Sequence, residues 1–245
     1  MTHPLRKTKI VCTMGPNLFE KGLIKPLMLA GMDVARFNFS HDTHENHLKR
    51  FKEVCRIRDE LGLPVATMLD TKGPEIRIGT FAEHRVTLDA GQLFTLTTED
   101  VEGDETRVSV TYKDLPRDVK PGCAILIDDG LVGMTVERVT DTDVCCKVNN
   151  GGTISDKKGV NIPDAHLSMP FISPKDREDI LFAIENGFDF IAASFTRNAD
   201  DIMQIRHIMA EKHCTSINII AKIENMEGVQ NIDEILRVSD AIMVA

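Results

Sequence analysis

Lys222 and Glu224 stand two residues apart at the end of the apolar run Ile217–Ile223, so in an extended strand both side chains point the same way. A lysine and a carboxylate at an apolar strand end are costly unless they are paired or bound to a ligand. Glu224 suits Mg2+, and Lys222 suits a phosphoryl group in transfer, because a point cation stabilises charge on the equatorial oxygens. A second cluster closes the run Met32–Phe39. Arg36, Asn38 and Ser40 alternate with Phe37 and Phe39 and share one face, and His41 follows. A guanidinium beside an amide and a hydroxyl fits a phosphate-bearing ligand or a partly dehydrated cation. The plain alternative is a strand that becomes a polar loop and caps a helix beginning near Thr43. The third cluster is Asp70-Thr71-Lys72-Gly73-Pro74-Glu75-Ile76-Arg77. It reads as a hinge, or, with Asp70 and Thr71 added to Asn38 and Ser40, as four oxygens for a hard cation. Ser194 ends a fourth apolar run, Phe188–Phe195, where a helix cap is the competing reading. Ser155-Asp156-Lys157-Lys158-Gly159 puts two cations beside a glycine, either a solvated hairpin tip or a phosphate clamp on a mobile lid.

These groups need a scaffold that gathers strand ends. The first stretch reads β-α-β-α-β: a strand over Lys9–Thr13 stopped by Gly15-Pro16, a helix over Leu18–Leu29 ending at Gly31, the strand Met32–Phe39, a helix over Thr43–Leu61, and a strand over Pro64–Leu69. In the second helix Leu48, Phe51, Val54 and Cys55 are expected to face inward. Between residues 73 and 170 helical periodicity disappears. Short alternating segments (85–88, 93–96, 107–110, 124–127, 134–136 and 144–148) are separated by turn signals such as Pro121-Gly122 and Asp128-Asp129-Gly130. That is a small β-rich, barrel-like domain inserted between barrel segments 1–72 and 171–245. From Ser173 the α/β pattern returns: helix to Asn186, strand Phe188–Phe195, helix Ala199–His213, strand Ile217–Ile223, helix Glu227–Val238 and strand Ala241–Ala245. Outside the insert, about six strands and five helices alternate. Two α/β architectures compete, an open doubly wound sheet and a partial (β/α)8 TIM barrel; a barrel requires eight strands to close.

Composition narrows the function classes. The hydrophobic fraction of 42% and charged fraction of 27% are those of a globular chain and exclude disorder. A net charge of -9 excludes bulk attraction to nucleic acid, and aromatics at 5% argue against base-stacking platforms. No stretch approaches the roughly 20 apolar residues of a membrane span, and Met1–Lys9 has no apolar signal core. The six cysteines match neither a zinc pattern nor a secreted disulfide framework, and they read as reduced cytoplasmic thiols.

Six motifs in register, Arg36 to His41, Asp70 to Gly79, Ile127-Asp128-Asp129-Gly130-Leu131, Lys158-Gly159-Val160-Asn161-Ile162-Pro163, Ser194-Phe195 and Lys222-Ile223-Glu224-Asn225, resemble pyruvate kinase from about Thr8 to Ala245. The resemblance implies a (β/α)8 barrel interrupted after its third strand by a β-rich lid, then a C-terminal domain, in a cytoplasmic homotetramer. It implies phosphoryl transfer from phosphoenolpyruvate to ADP, giving pyruvate and ATP, with Mg2+ and K+. By that resemblance Arg36 and Lys222 are the catalytic pair, Arg36 on the substrate phosphate and Lys222 on the phosphoryl transition state, with Ser194 beside them at the substrate. Asn38, Phe39, Ser40, His41, Arg77 and Lys158 face the nucleotide. Glu224 ligates Mg2+; Asn38, Ser40, Asp70 and Thr71 hold K+, and Glu75 accompanies a K+ requirement. Asp42 stands where the family commonly has Gly. The family continues past Ala245 with an Arg-Gly-Asp-Leu-Gly segment whose Asp is a second Mg2+ ligand, so the chain as given is expected to be an incomplete, inactive fragment. The alternatives are a metal-dependent aldolase or lyase of pyruvate-like substrates, which would not need nucleotide, and a non-catalytic binding fragment.

Overall fold

The structure is a computed structural model that describes residues 7–163 and 165–245. Most of the Met1–Lys9 stretch therefore lies outside the described residues.

Strands β1 (Val11–Thr13), β2 (Val34–Asn38) and β3 (Ala66–Asp70) alternate with helices α1 (Pro16–Glu20), α2 (Ile24–Ala30) and α3 (His44–Leu61). The single helix expected over Leu18–Leu29 is in fact two. Gly22 at φ 61 enters the left-handed region and ends α1. Pro26 then falls in the first turn of α2, where its missing N–H has no intrahelical partner to lose. In α3 the Thr43 hydroxyl accepts from the Asn46 amide, and Gly62 at φ 61 stops the helix. Its buried stripe is His47, Phe51, Val54 and Ile57, while Leu48 and Cys55 are only partly covered. The inward face is rotated from the one expected because a histidine takes a core position.

The insert carries β4 (Ile76–Arg77), β5 (Arg85–Leu88), β6 (Leu93–Thr97), β7 (Arg107–Ser109), the short α4 (Leu115–Asp118), β8 (Ala124–Ile127), β9 (Val132–Val139), β10 (Asp143–Val148), β11 (Gly152–Ser155) and β12 (Gly159–Asn161). Its seven-stranded sheet runs β4-β12-β8-β9-β10-β6-β7, and β11 pairs with β5. The insert has its own core, including Phe94, Leu96, Ile125, Met134 and Cys146. Three of its strands, β4, β11 and β12, lacked an alternating signal: two are short and β11 has Gly and Ser at its ends.

The chain then forms α5 (Pro174–Asn186), β13 (Phe190–Ala193), α6 (Ala199–Glu211), β14 (Asn218–Ile223), α7 (Met226–Gln230), α8 (Ile232–Val238) and β15 (Ala241–Val244). The helix expected over Glu227–Val238 breaks at Asn231, whose side-chain amide donates to the Arg197 carbonyl at 3.0 Å. Two compact units result, one of residues up to Gly73 with Phe171–Glu224 and Gly228–Ala245, the other of Pro74–Pro170 with Asn225–Glu227.

In the first unit the six strands are all parallel, in the order β1-β2-β3-β13-β14-β15. Each strand lies beside the one that precedes it in the α/β repeat. A doubly wound sheet must reverse direction at a switch point, and this one does not, so the winding is that of a partial TIM-type barrel. Odd and even residues of the strands separate onto two faces. One face, with Ala35, Phe37, Leu69, Ile191, Ala193, Ile219 and Ala221, belongs to the main core with the helices. The other has an apolar floor of Met68, Ala192 and Ile220, edged by Val34, Phe190 and Met243.

Three aspartates lock the register at the beginning of alternate strands. Asp33, Asp189 and Asp240 each immediately precede a strand. Their carboxylates accept backbone N–H bonds from Ile10 (2.8 Å), Thr67 (2.7 Å) and Ile219 (2.7 Å) of the preceding strand or its lead-in. Asp189 also accepts from the Thr67 hydroxyl at 2.9 Å. Asp189→Ala is expected to destabilise the protein by about 1–3 kcal/mol, because two donors lose a charged acceptor. Asp189→Asn should cost less; urea titration of both variants checks this, and equal losses would count against the acceptor role.

Candidate active site

Residues on the floor side of the sheet become polar one step nearer the strand ends. Strand register sets Arg36 opposite Thr13 and Met68, Asn38 opposite Asp70, and Asp70 opposite Ala192. Ser194, Lys222 and Glu224 continue the same alternation. The outcome is one cluster assembled from five strand ends.

Asp70 is its centre and is 1% exposed. It accepts from Arg36 twice, at 2.6 Å from Nε and 2.5 Å from Nη2, from the Ser194 hydroxyl at 3.0 Å, and from Lys222 Nζ at 3.1 Å. Lys222 is also buried and reaches Ser194 Oγ at 2.9 Å and Glu224 at 3.3 Å. Arg36 Nη1 donates to Thr13 Oγ1 at 2.8 Å. Two cations and two carboxylates therefore meet with no net charge, which is how charges survive out of water. Glu224 is fixed from a second side: the Phe195 amide donates to its Oε2 at 2.9 Å. Phe195 does this from φ 56, a left-handed conformation that costs a bulky residue on the order of 1–2 kcal/mol. Ser194 caps no helix; the cap of α6 is Asn198.

The chain leaves this cluster through Thr71 and Gly73. Thr71 Oγ1 donates to the Ala192 carbonyl at 3.3 Å and accepts from the Ser194 amide at 3.2 Å. Gly73 sits at φ 66, and a Cβ there would stand 2.5 Å from the Ser194 carbonyl oxygen, so only glycine fits. Buried Asp176, the N3 residue of the α5 capping box, accepts from the Gly73 amide at 3.0 Å.

Asn38 ends β2, and Phe39 to His41 lead on from it into the turn. Asn38 Oδ1 accepts from the Ser40 amide at 3.0 Å. The Phe39 ring is buried and stacks on His47 at 4.1 Å, so Phe39 offers a ligand only its backbone. In the insert, Arg77 pairs with Glu75 at 2.5 Å and donates to the Lys157 carbonyl at 2.6 Å, while Lys158 pairs with Asp128 at 2.9 Å. Arg77 lies opposite Gly159 across the β4–β12 pair, which makes Arg77 and Lys158 near neighbours. Among the described residues, no group of three or more His, Cys, Asp or Glu forms a ready metal site. No helix among them is long and apolar enough to cross a membrane.

Residues 5–245 match the family described as pyruvate kinase, barrel domain. The chain belongs to the pyruvate kinase family. It is 45% identical over 242 residues to the pyruvate kinase of Clostridium acetobutylicum, covering 98% of this chain and 51% of that protein. To the pyruvate kinase of Bacillus licheniformis it is 47% identical over 243 residues, 98% of this chain and 42% of that protein. The pyruvate kinase of Geobacillus stearothermophilus gives 46% over 242 residues, 98% and 41%. The chain thus spans about half or less of the length of these pyruvate kinases.

Of the sequence-derived candidates, Arg36, Asp70, Ser194, Lys222 and Glu224 come together in one cluster, with Thr71 against Ser194. Asn38, Ser40 and His41 sit on the adjoining turn, and Arg77 and Lys158 lie in the other unit. Thr13 was not a candidate; its signal was the strand-end position that singled out the others.

Asp42, which the resemblance sets against a glycine, adopts φ 73, a conformation natural to glycine. Its carboxylate accepts from Asn46 Nδ2 at 2.7 Å, the Thr43 amide at 2.8 Å and Arg50. The Asn46 bond above all, with Thr43 and Arg50 and against an opposing burial penalty, lowers its pKa from 3.8 to about 2. The folded state therefore holds this proton less well than the unfolded chain. Its stabilising contribution is complete above 3.8 and is lost as pH falls through about 2. Asp42→Ala should destabilise by about 1 kcal/mol more than Asp42→Gly, and both should flatten the acid side of the stability curve in this interval. Denaturation at a series of pH values checks both; an alanine variant as stable as the glycine variant would refute the backbone argument.

Proposed function

We propose that this chain forms the substrate-binding face of a pyruvate kinase that moves the phosphoryl group of phosphoenolpyruvate to ADP, giving pyruvate and ATP. The observation that carries this is the pair of cations, Arg36 and Lys222, converging on buried Asp70 at the ends of parallel strands. A phosphate dianion arriving there can take donors from both cations at once. Arg36 suits bidentate binding of the phosphate, and Lys222 suits the charge that spreads over the phosphoryl oxygens in transfer. Ser194, which accepts from Lys222 and donates to Asp70 or the Thr71 carbonyl, steers the ammonium.

Mg2+ and K+ are the metals that the family generally uses, and the donors present suit them. Glu224 is a hard oxygen ligand, oriented by the Phe195 amide, that would hold Mg2+. Asn38, Ser40, Asp70 and Thr71 supply amide, hydroxyl and carboxylate oxygens of the kind K+ takes. Asp70 now accepts from Arg36, Lys222 and Ser194; a phosphate that draws those cations away frees its lone pairs. Bound metal would supply positive charge against the phosphoryl oxygens. Arg77 and Lys158, the nucleotide-facing candidates of the insert, are held by Glu75 and Asp128 respectively.

The test is ADP-dependent formation of pyruvate from phosphoenolpyruvate, with Mg2+ and K+ present and each omitted in turn, on the protein as its gene encodes it. Dependence on ADP supports the kinase reading. Cleavage or condensation of a pyruvate-like substrate without nucleotide would support a metal-dependent aldolase or lyase instead. A homotetramer in the cytoplasm is the assembly and location that go with the kinase reading.

A further inference from the structure

Asp179 on α5 is fully buried and lies outside the cluster around Asp70. A buried carboxylate needs partners. It has His44 Nε2 at 2.5 Å and Lys175 Nζ at 2.5 Å. Lys175 and Asp179 are one helical turn apart, so they emerge on the same side of α5. The Lys175 ammonium also donates to the Phe39 carbonyl at 2.9 Å and lies 6.0 Å from the Phe39 ring centre. From α3, His47 Nε2 donates to the His41 carbonyl at 2.8 Å. His47 Nδ1 is buried with no hydrogen-bond partner, which assigns the proton to Nε2, and burial pushes the imidazole pKa down and keeps the ring neutral. The carbonyls on either side of Ser40 are thus gripped by two helices. The turn is fixed at its other groups as well: the Phe39 amide donates to the Asp70 carbonyl and the Ser40 amide to Asn38 Oδ1.

We propose that Lys175, held by Asp179, is a positioning residue for the Asn38–His41 turn: by fixing the Phe39 carbonyl it sets where Asn38 and Ser40 present their oxygens to a monovalent cation and a nucleotide. This rests on the kinase reading above. The ammonium bonds the Phe39 carbonyl and Asp179 and neither Arg36 nor Lys222, so its effect falls first on Asn38 and Ser40 and leaves the two cations that meet the phosphate in place. It also explains why a carboxylate is buried in α5, since Asp179 holds the Lys175 chain across the helix face toward Phe39.

The test is Lys175→Met in the protein as its gene encodes it, with Lys175→Arg as the conservative variant. Lys175 is half-exposed, so methionine is tolerated at the site. The expected result is a rise of about tenfold in the K+ concentration for half-maximal activity and in KM for ADP, the loss of one charged hydrogen bond. KM for phosphoenolpyruvate should stay within about twofold, and Lys175→Arg should recover most of the loss. Hydrogen exchange supplies a readout that needs no activity: amides 39–42 should exchange about tenfold faster in Lys175→Met while those of β14 hold their rates. Unchanged K+ and ADP dependence in an active protein, or unchanged exchange in the turn, would overturn the proposal. So would exchange that rises equally in all strands, which is the mark of a merely structural residue. If the parent protein neither transfers phosphoryl groups nor binds ADP, the kinase reading fails, and the exchange measurement still decides whether Lys175 fixes the turn.

Discussion

On the kinase reading, Lys222→Met in the protein as its gene encodes it is expected to lower the rate of phosphoryl transfer from phosphoenolpyruvate to ADP by about a thousandfold, the scale seen when one group that stabilises transition-state charge is lost. Methionine keeps the length and the unbranched stem, so packing against the floor of the sheet survives. What disappears is the ammonium that joins Asp70, Ser194 and Glu224. The surrounding groups keep other partners: Asp70 retains Arg36 and Ser194, and Glu224 retains the Phe195 amide. The fold should therefore stand, and the loss should be in kcat more than in KM for phosphoenolpyruvate, because Arg36 still meets the phosphate. Steady-state kinetics with circular dichroism as the folding control decides this. A rate within tenfold of the parent would mean that Lys222 is not the cation on the transferring group.

The largest stability loss is expected at Asp70. Asp70→Ala leaves Arg36 and Lys222 facing each other with their shared carboxylate gone, and breaking a buried pair in this way costs about 3–5 kcal/mol. Asp70→Asn keeps the shape and one oxygen acceptor, and should lose less. An anion that bridges the two cations should then return part of that stability, so added inorganic phosphate is expected to raise the melting temperature of Asp70→Asn more than that of the parent. Thermal melts with and without phosphate measure it. Equal shifts in both proteins would show that Arg36 and Lys222 do not act together on a phosphate.

Much of this site was legible from a period of two. Alternation in a strand fixes a face and singles out Arg36, Asn38 and Ser40, and Lys222 with Glu224; Arg36, Asn38 and Lys222 lie on that face and Glu224 is 3.3 Å from Lys222, whereas Ser40 lies in the turn after β2. What alternation cannot give is the number of donors that converge on an atom. Asp70 read as a cation ligand because it is an oxygen at a strand end; only the strand order brings Arg36 and Lys222 to it from either side. Lys175, Asp179 and His44 left no signal of this kind. Lys175 and Phe39 are 136 residues apart, and their contact comes from packing, not from any pattern within α5. His47 was hidden for a related reason: a polar residue in a core stripe looks like a break in the stripe. The break at Gly22 was written in the sequence, but apolar residues continued across it at helical spacing and outweighed one glycine.

The seam between β3 and β13 also has a kinetic meaning. β1, β2 and β3 are joined by short helical connections, and so are β13, β14 and β15, whereas Thr67 and Asp189 meet across 122 residues. Joining two chain points so far apart is entropically slow, although each doubling of the loop adds only about 0.6 kcal/mol. The insert has a core of its own, and its collapse would draw the two ends of that loop toward each other. The two halves of the parallel sheet can thus form early and join late, with the Asp189 carboxylate on Thr67 as the catch that selects the right register at the moment of joining.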